Sequence, residues 1–322
     1  MKILVTARSF RKTPGRHKEL LEQSGHQVVE STLDRPLKEA EMVELISDVD
    51  GAILGLDEVT AKVIAAGKRL KVISRYGVGV DNVDLEAATA AGVAVTNTPG
   101  ANSIAVAELT LGLMLSLARR IPQHNASTRA GSWSRVTGIE LAGKILGIVG
   151  LGQISREVIR RASAFDMKIV VQTRYPDEKL ADQYGVEYLT LERLLKGADF
   201  VSLHCAFTPE RADLIGEKEL RAMKPTSYLI NTARGELVDE EALYRALQEG
   251  WIAGAAMDAF KEEPATASPL IKLDNFIATP HIGATTHESV LRMGVLAVEN
   301  ALQVLRGERP PYVVNPEVYK SR

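Results

Sequence analysis

Short apolar runs rich in β-branched residues alternate with helical patterns along the chain, and this alternation constrains the fold more than any other feature. The runs fall into two series. The first contains "KILVT", "GAILG", "KVIS" and "VAVTN", and the second contains "KILGIVG", "KIVVQ", "DFVSLH", "YLIN", "AGAAMD" and "FIATPH". Strands that alternate with helices form parallel sheets covered on both faces. The 322 residues therefore predict an α/β protein with two Rossmann-like, doubly wound parallel-sheet domains.

A long apolar segment separates the two series. Pro99 and Gly100 break the chain, a polar residue can cap the helix that follows, and residues 104–118 are apolar on nearly every side. A helix without a polar face must be buried, so we expect this one between the domains or in a subunit interface. Another helical pattern follows "TPHIGATT" and runs to about Arg306.

Charge and cysteine content exclude several classes of function. The 39 basic and 41 acidic side chains give a formal net charge of -2, which supplies no long-range attraction to nucleic acid or to an anionic membrane. The single cysteine excludes an internal disulfide, and neither a CxxC nor an HExxH pattern offers a metal site. The opening run is too short for a signal peptide, and the most apolar segment is too short to span a membrane. We expect a soluble, cytoplasmic protein that acts on a small molecule.

The stretch "KILGIVGLGQISREVI" predicts an apolar strand, a glycine-rich turn and a helix. Gly150, Gly152 and Ser155 occupy a G-x-G-x-x-G/A frame, in which Gly150 allows the tight turn. Gly152 lets the backbone approach a pyrophosphate at the helix N-terminus. Ser155 is a small departure, because the third position favours a smaller residue. A lone glycine motif can be purely structural, but the flanking strand and helix favour dinucleotide binding.

The next strand ends without the acidic residue that usually follows such a fingerprint. Thr173 and Arg174 occupy its place. An acid would bind the ribose hydroxyls of NAD, whereas an arginine with a nearby hydroxyl would bind the 2′-phosphate of NADP. We therefore favour NADP(H). NAD stays open, because no second arginine follows nearby and Asp177 and Glu178 lie just beyond.

Three later strands deliver polar residues to one predicted sheet edge. Arg234 follows "YLIN", Asp258 follows "AGAAM" with Glu263 five residues on, and His281 follows "FIATP". Each residue alone has an ordinary alternative, as a surface ion-pair partner, a loop acid or a structural histidine. Their meeting at the carboxyl edge of one sheet, where ligands collect, predicts a catalytic site.

Several motifs together resemble the D-isomer-specific 2-hydroxyacid dehydrogenase family, most closely its phosphoglycerate dehydrogenase branch. They are "SRYGVGVDNVDLEAATAAGV", "NTPGANSIAVAELTLGLMLSLARRIPQ", "WSRVTGIELAGKILGIVGLGQI", "NTARGELVDEEAL", "DAFKEEP" and "TPHIGATT". The resemblance implies a flavodoxin-like substrate domain formed by residues 1–98 and 285–322, and a dinucleotide-binding domain formed by residues 99–284. It also implies a homodimer, a cleft that closes over the substrate, and a catalytic triad of Arg234, Glu263 and His281.

The triad side chains suit the reaction that the resemblance implies, which is hydride transfer between a nicotinamide and C2 of a 2-hydroxy or 2-keto acid. Arg234 can grip the substrate carboxylate through two hydrogen bonds. His281 is the natural acid/base, because the alcohol oxygen gains a proton during reduction and loses one during oxidation. Glu263 would stabilise the charged imidazole, orient it and keep His281 protonated for reduction.

The resemblance extends to further positions. The loop "SRYGVGVD" would receive the substrate carboxylate on backbone N–H groups, since Gly77 and Gly79 permit a close approach. Arg75 could add a charge for a phosphate or pair with a surface acid, and Arg135 could reach the substrate site of a neighbouring subunit. The implied substrate residues are Arg75, Gly77, Val78, Gly79 and Arg135, and the implied cofactor residues are Val78, Gly150, Gly152, Gln153, Ile154, Thr173, Arg174, Cys205, Thr232, Ala233, Asp258 and Gly283.

"SLHCAF" contains a competing histidine. We interpret His204 as structural, because similar enzymes often have a non-catalytic histidine there. Cys205 and Ala206 would lie near the cofactor, and a proline is common at the latter position. No base lies beside Cys205 in sequence, which argues against a nucleophile.

One departure bears on the substrate. Phosphoglycerate dehydrogenases often have an arginine after the third strand, where this chain has Gly55, Leu56 and Asp57. Phosphoglycerate oxidation is still our first hypothesis, from the overall resemblance. The alternative is an NADPH-dependent reductase of glyoxylate, hydroxypyruvate or a related 2-ketoacid. A third hypothesis is a cofactor-sensing binding protein, as the family's transcriptional corepressors are.

Overall fold

The chain forms two compact units. The structure is a computed structural model that describes residues 1–320. Unit 1 comprises Met1–Asn102 together with the segment that begins at Ala284, and unit 2 comprises Ser103–Gly283. Each unit contains one parallel β-sheet, so the predicted α/β class with two doubly wound sheets is confirmed.

Five short strands form the sheet of unit 1. They are β1 (Lys2–Val5), β2 (Gln27–Glu30), β3 (Gly51–Leu54), β4 (Val72–Arg75) and β5 (Ala94–Thr96). Their spatial order is β2-β1-β3-β4-β5, which is the flavodoxin-like order and reverses between β1 and β3. The helices along this part of the chain are α1 (Arg8–Lys12), α2 (Arg16–Gln23), α3 (Glu39–Ile46), α4 (Ala61–Ala66) and α5 (Leu85–Ala90).

Local sequence explains where two of these helices begin. Thr60 accepts the Val63 N–H through its hydroxyl at the start of α4, and the Asp84 carboxylate accepts the Ala87 N–H at the start of α5. Each cap satisfies an N–H group that has no acceptor inside the helix. The central strands β3 and β4 are fully buried, because helices cover both faces of the sheet.

Seven strands form the sheet of unit 2. They are β6 (Ile145–Val149), β7 (Lys168–Gln172), β8 (Glu187–Tyr188), β9 (Phe200–Leu203), β10 (Tyr228–Asn231), β11 (Gly254–Met257) and β12 (Phe276–Ala278). Their order, β12-β11-β10-β9-β6-β7-β8, reverses between β6 and β9. The helices are α6 (Ser103–Arg119), α7 (Ile121–Arg129), α8 (Gln153–Ser163), α9 (Glu178–Tyr184), α10 (Leu191–Gly197), α11 (Glu217–Ala222) and α12 (Glu240–Glu249), with 3-10 turns at Pro209–Arg211, Gly235–Leu237 and Pro269–Lys272.

The apolar helix α6 is buried within unit 2. It packs against α8 and against strands β10, β11 and β12. Leu111 and Met114 of this helix share one apolar core with Ile148 and Val158. Within unit 2 the sheet and α8 bury it, and its position between the domains or in a subunit interface stays a prediction. Neither α6 nor any other helix among residues 1–320 has the length and apolar composition needed to cross a membrane.

The last helix, α13 (His287–Leu305), belongs to unit 1. Met293 packs in the same apolar core as Ile3 of β1. Beyond the helix, the Asn315 side chain accepts the Val95 N–H at 2.8 Å and so ties the tail to β5. Unit 1 is thus built from segments that lie far apart in sequence. A 3-10 turn at Pro316–Tyr319 follows.

Two edge strands were not among the predicted runs. β2 reads "QVVE" and has no fully buried side chain, and β8 has only two residues. Both lie at a sheet edge and have no fully buried side chain, so their sequences lack the apolar run that marks a buried parallel strand. The strands that were predicted all occur where the sequence places them.

Candidate active site

Three neighbouring strands of unit 2 end at one edge of the sheet and position the predicted catalytic residues. Arg234 lies three residues beyond β10, Asp258 directly follows β11, and His281 lies three residues beyond β12. These strands are adjacent and parallel, so their carboxyl ends meet at the same edge. The fold thus collects residues that are far apart in sequence.

The imidazole of His281 pairs with the carboxylate of Glu263. Nδ1 lies 2.9 Å from Oε1 and 3.0 Å from Oε2, and the two side chains are 30% and 32% exposed. The Phe260 N–H donates to Oε1 at 3.1 Å and fixes the carboxylate. Burial raises the pKa of Glu263, but the hydrogen bond and charge of His281 outweigh it and hold this pKa below its ordinary value. The pairing leaves Nε2 as the ring nitrogen that can face a ligand.

Arg234 lies on a turn braced by the buried side chain of Asn231. The Asn231 amide donates to the Arg234 carbonyl at 2.7 Å and accepts the Ala233 N–H at 3.0 Å. After burial and the contacts with His281 and Phe260, the charge of Arg234 is a further influence on the pKa of Glu263, which it lowers. The guanidinium therefore lies within electrostatic range of the Glu263 carboxylate. Sequence analysis missed Asn231, whose role depends on a local turn.

Asp258 holds the loop that contains His281. Its carboxylate is 2% exposed and accepts hydrogen bonds from Thr279 Oγ1 at 2.6 Å, the Ile282 N–H at 2.8 Å and the Gly283 N–H at 2.8 Å. His281 has a φ of +53°, in the left-handed region that non-glycine residues seldom adopt. The three bonds bracket His281 and fix this conformation. Burial raises the pKa of Asp258, and the hydrogen bonds offset only part of that effect.

The turn between β6 and α8 has the geometry that a pyrophosphate needs. Gly150 has a φ of +95°, and a Cβ there would lie 2.7 Å from the backbone of Cys205. A Cβ on Gly152 would meet nothing within 4 Å, so this glycine keeps an approach open. The buried Ser155 hydroxyl accepts the Gly152 N–H at 2.7 Å and donates to its carbonyl at 3.0 Å. The departure at the third position therefore stabilises the helix start.

Helix α8 supplies donors for an anion at this turn. It begins with Gln153 and Ile154, and the N–H groups of a first helical turn have no acceptor inside the helix. Together with the helix dipole they favour a negative group. Burial raises the pKa of the nearby Cys205 thiol, which argues against a nucleophilic role. These residues fit the pyrophosphate of a nicotinamide dinucleotide.

Metal binding has no comparable support. Within the described part of the chain, no group of three or more histidine, cysteine, aspartate or glutamate side chains could hold a metal ion.

Thr173 and Arg174 follow β7 directly. Thr173 Oγ1 accepts the Tyr175 N–H at 3.1 Å, and Arg174 is exposed. The nearby Asp177 pairs with Arg156 at 2.6 Å, and its other oxygen caps α9. The hydrogen bond from Arg156 is the main cause that lowers the pKa of Asp177. Both oxygens of this acid are therefore hydrogen-bonded within the protein.

A second arginine lies near Arg174. The pKa of Glu210 is lowered by hydrogen bonds from the Glu210 backbone N–H and from Thr208. The charges of Arg174 and Arg211 lower it further. Arg211 comes from the loop after β9, and its Nη1 donates to the Ala206 carbonyl at 2.8 Å. Sequence analysis missed it, because it is 37 positions from Arg174 in the chain (211 − 174).

His204 is separate from the triad. Its Nε2 lies 2.8 Å from Ser202 Oγ, and its N–H donates to the Val149 carbonyl at 2.8 Å. The residue keeps some exposed surface, but its dense surroundings desolvate the ring and lower its pKa to about 4. A neutral, hydrogen-bonded imidazole at the end of β9 favours the structural interpretation.

The remaining cofactor positions of unit 2 pack near α6. Thr110 donates to the Val106 carbonyl at 2.9 Å, so Thr232 is the donor in the 3.0 Å contact between the Thr110 and Thr232 hydroxyls. This bond anchors the turn that contains Thr232 and Ala233. A Cβ on Gly283 would lie 3.3 Å from Val106, so the loop after His281 also approaches the helix.

The glycine loop after β4 is the predicted substrate loop of unit 1. Gly77, with a φ of +146°, donates its N–H to Thr98 Oγ1 at 3.1 Å. Val78 is exposed, and within residues 1–320 the N–H groups of Val78 and Gly79 have no acceptor. Arg75 is only 5% exposed, and its Nη1 donates to the carbonyl of the next residue at 2.5 Å. The N–H groups of Val78 and Gly79 are therefore the donors that this loop can offer a ligand.

Arg135 is not brought to the triad of its own chain. It lies in the exposed stretch 131–137 between α7 and β6. In the described residues, no hydrogen bond or ion pair joins it to Glu263 or His281.

Comparisons with known proteins agree with this geometry. Residues 111–283 match the family model described as D-isomer specific 2-hydroxyacid dehydrogenase, NAD binding domain. A D-3-phosphoglycerate dehydrogenase of Methanocaldococcus jannaschii is 46% identical over 301 residues, which are 92% of this chain and 57% of that protein. A glyoxylate reductase of Thermococcus litoralis is 43% identical over 290 residues, 87% of this chain and 88% of the relative. The crystal structure of the TT0316 protein from Thermus thermophilus gives a TM-score of 0.88 at 41% identity, covering 98% of this chain and 100% of that one.

The chain belongs to the D-isomer specific 2-hydroxyacid dehydrogenase family, and the predicted resemblance is confirmed. It spans 57% of the length of the phosphoglycerate dehydrogenase and 88% of the glyoxylate reductase. The matched region is an NAD-binding domain, which agrees with the glycine turn at the start of α8.

Proposed function

We propose that this protein is a nicotinamide-dependent oxidoreductase that interconverts a 2-hydroxy acid and its 2-keto acid. The observation that carries the proposal is the pairing of His281 Nδ1 with the Glu263 carboxylate at 2.9 Å, on the sheet edge where Arg234 also lies. Membership of the dehydrogenase family supports the same conclusion.

The roles of the three side chains follow from this geometry. When bound, a nicotinamide cofactor supplies a hydride to C2 of the keto acid or accepts one from the hydroxy acid. Glu263 occupies Nδ1 of His281, so Nε2 gives its proton to the substrate oxygen during reduction and removes it during oxidation. Arg234 holds the substrate carboxylate with its planar fork and polarises the neighbouring carbonyl. Asp258 fixes the loop that contains His281, and Asn231 fixes the turn that contains Arg234.

We infer a preference for NADP(H). Arg174 and the Thr173 hydroxyl follow β7, where an acid would repel the 2′-phosphate, and Asp177 is engaged with Arg156. Arg211 adds a second positive charge near the same place, although Glu210 lies close to both arginines. NAD is the alternative, because the matched family model is described as NAD binding.

We propose phosphoglycerate oxidation as the first substrate hypothesis and reduction of glyoxylate, hydroxypyruvate or a related 2-ketoacid as the second. A relative named D-3-phosphoglycerate dehydrogenase and a relative named glyoxylate reductase each share more than 40% identity with this chain. The inferred NADP(H) preference and the absence of an arginine at Gly55 favour the reductase.

We also propose that unit 1 binds substrate through the loop of Arg75, Gly77, Val78 and Gly79, and that unit 2 binds the dinucleotide. A cytoplasmic homodimer is part of the same proposal. Support for the homodimer comes from exposed apolar side chains in α7 and in the stretch that follows it, Ile121 at 51%, Trp133 at 79% and Val136 at 48%.

A panel of 2-ketoacids tests these proposals. We expect turnover of 3-phosphohydroxypyruvate, hydroxypyruvate or glyoxylate, with a higher kcat/KM for NADPH than for NADH. His281→Ala should lower kcat by about 10²- to 10⁴-fold, because the proton donor is lost, while cofactor binding persists. The exposed His287→Ala is the control and should retain activity.

Each adverse result has a distinct meaning. Cofactor binding without turnover across the panel would favour the cofactor-sensing alternative. Equal specificity constants for the two cofactors, or a preference for NADH, would reject the NADP(H) inference. Near-normal activity of His281→Ala would reject the triad.

A further inference from the structure

The carboxylate of Glu263 depends on one short piece of backbone, the peptide between Phe260 and Lys261. The Phe260 N–H donates to Glu263 Oε1 at 3.1 Å, and the same oxygen lies 2.9 Å from His281 Nδ1. The direction of the Phe260 N–H therefore sets where this carboxylate can lie. A group that fixes the peptide beside Phe260 also helps to hold the histidine–glutamate pair.

Helix α12 holds this peptide through a side chain. Glu240 is the first residue of α12, is half-buried, and accepts the Lys261 N–H on Oε1 at 2.8 Å. The N–H groups of Phe260 and Lys261 are thus held by two different glutamates. The Asp239 carboxylate already caps α12, so the helix start does not need the Glu240 carboxylate as its cap.

The turn that contains Arg234 packs on the same peptide. Gly235 directly follows Arg234 and is buried. A Cβ on Gly235 would lie 2.0 Å from the Phe260 carbonyl carbon and 2.2 Å from the Lys261 nitrogen, so the two backbones are in direct contact. Glu240 therefore acts where the backbone that contains Arg234 meets the loop that contains Glu263.

The side chain of Lys261 makes a weaker contact with the loop after β9. Its Nζ pairs with Asp213 Oδ1 at 2.5 Å, and the two side chains are 39% and 50% exposed. A surface ion pair contributes little, because water and salt screen it. The Lys261 N–H instead donates to the Glu240 carboxylate in a charge-assisted hydrogen bond that fixes the backbone itself.

We propose that Glu240 is a positioning residue for the reaction. By accepting the Lys261 N–H it orients the neighbouring Phe260 N–H, which in turn keeps the Glu263 carboxylate against Nδ1 of His281. The inference rests on the proposed function, because it assigns Glu240 a role toward the acid/base pair of that reaction. The effect of Glu240 passes through the loop, since its carboxylate bonds to the Lys261 backbone.

Two substitutions separate the position of the acceptor from its charge. Glu240→Gln keeps a carbonyl oxygen at the same reach and removes the charge, whereas Glu240→Asp keeps the charge on a shorter side chain. For the 2-ketoacid that the wild type prefers, Glu240→Gln should retain kcat within about 3-fold. Glu240→Asp should lower kcat about 10-fold or more, because a small displacement of a catalytic group is costly. An aspartate suits a first helical turn, so Glu240→Asp preserves the start of α12.

Alanine variants of two adjacent glutamates supply the control. Glu240→Ala has no acceptor and should lose at least as much kcat as Glu240→Asp, while the Kd for NAD(P)H stays within about 2-fold. Glu241 is the next residue of α12 and is exposed, and its carboxylate has no hydrogen bond or ion pair within residues 1–320, so Glu241→Ala should retain kcat. Equal kcat for all Glu240 variants, or a larger loss for Glu240→Gln than for Glu240→Asp, would overturn the proposal.

Nuclear magnetic resonance of the protein without substrate separates this proposal from the proposed function. Glu240→Asp and Glu240→Ala should speed hydrogen exchange of the Lys261 amide about 10-fold or more and shift the ring ¹⁵N signals of His281. Glu240→Gln and Glu241→Ala should leave both unchanged. If the wild type turns over no ketoacid, shifted His281 signals still support the positioning role while the proposed function fails. Unshifted His281 signals in Glu240→Asp and Glu240→Ala would reject the role of Glu240, even in an active dehydrogenase.

Discussion

At the residue scale, His281 is controlled by two acids that act in different ways. Glu263 hydrogen-bonds to Nδ1 of the imidazole, so it places a carboxylate directly beside the ring. Asp258 receives hydrogen bonds from residues on both sides of His281 and governs the backbone conformation. Substitution of either acid should impair turnover, but only Glu263 should alter how turnover depends on pH.

Glu263→Gln should therefore change the shape of the pH profile. The pKa of Glu263 is lowered by its partners despite burial, so in the folded protein the carboxylate stays charged to lower pH than an ordinary glutamate. The substitution removes this charge from beside Nδ1, and reduction should fall about 10- to 100-fold at neutral pH and recover partly in acid. The measurement is kcat/KM for reduction between pH 5 and 9.

The neighbouring Glu262→Gln is the control for this prediction. Glu262 is exposed and makes no contact with His281 in the described residues, so its profile should match the wild type. A profile of Glu263→Gln that is only scaled, with unchanged pH dependence, would contradict the assigned role.

The sequence predicted the catalytic residues that can be recognised from their place just after a strand. Arg234 and His281 follow apolar strands, and their side chains have an obvious use in chemistry. Asn231 and Arg211 were missed, because their roles arise from a turn and from a contact between remote loops. Asp258 was predicted for the cofactor, which stays a prediction, and its bonds to the loop of His281 were not foreseen.

At the element scale, the turn between β6 and α8 separates a folding role from a binding role. Gly150 has a positive φ and would clash with Cys205 if it had a side chain, whereas Gly152 has open space. The two glycines thus serve different purposes in one motif.

Alanine at each glycine should give opposite results. Gly150→Ala should destabilise the fold by about 2 kcal/mol or more, because alanine is strained at that φ and approaches a backbone. Gly152→Ala should stay within about 1 kcal/mol of the wild type but weaken NAD(P)H binding at least about 10-fold, because the methyl group occupies the approach of the pyrophosphate. Urea unfolding and fluorescence titration measure the two effects. A Gly152→Ala protein with unchanged cofactor affinity would refute the assignment.

Strands and helices could be predicted from the sequence where burial gives them a run of apolar residues. The central strands, buried by helices on both faces, read as apolar runs. The strands β2 and β8 did not, because they have no fully buried side chain and are defined by pairing with a neighbour. Helix α6 was predicted as buried, but the sequence could not say that α8 and the sheet cover it.

At the scale of the whole molecule, a buried histidine links both ends of the chain. His17 of α2 is fully buried, its Nε2 lies 3.0 Å from the Phe10 carbonyl, and Gly294 of α13 packs on its ring. Burial is the main cause that lowers the pKa of His17, so the folded protein resists its protonation.

Stability should therefore fall in acid through His17. Its folded pKa lies below the unfolded value of about 6.5, so the unfolded chain takes up the proton first, and stability is lost as the pH falls below that value. His17→Gln retains a donor for Phe10 and cannot titrate. The difference in unfolding free energy between wild type and variant should move in favour of the variant by up to about 1.4 kcal/mol per pH unit below about pH 6.5.

Urea unfolding at pH 5 to 8 measures this difference. His287→Gln removes an exposed histidine and should give a constant offset from the wild type. A constant offset for His17→Gln as well would show that the buried ring does not couple stability to pH.

The return of α13 to unit 1 has a consequence for synthesis on the ribosome. Every residue of unit 2 has been translated by Gly283, whereas the core that joins Ile3 to Met293 is incomplete until the last helix emerges. The first segment to be made must therefore wait, without its partner helix, while the inserted unit has all it needs to fold. Nascent chains stalled shortly after unit 2 leaves the exit tunnel should contain a folded unit 2 and an unfolded or incomplete unit 1.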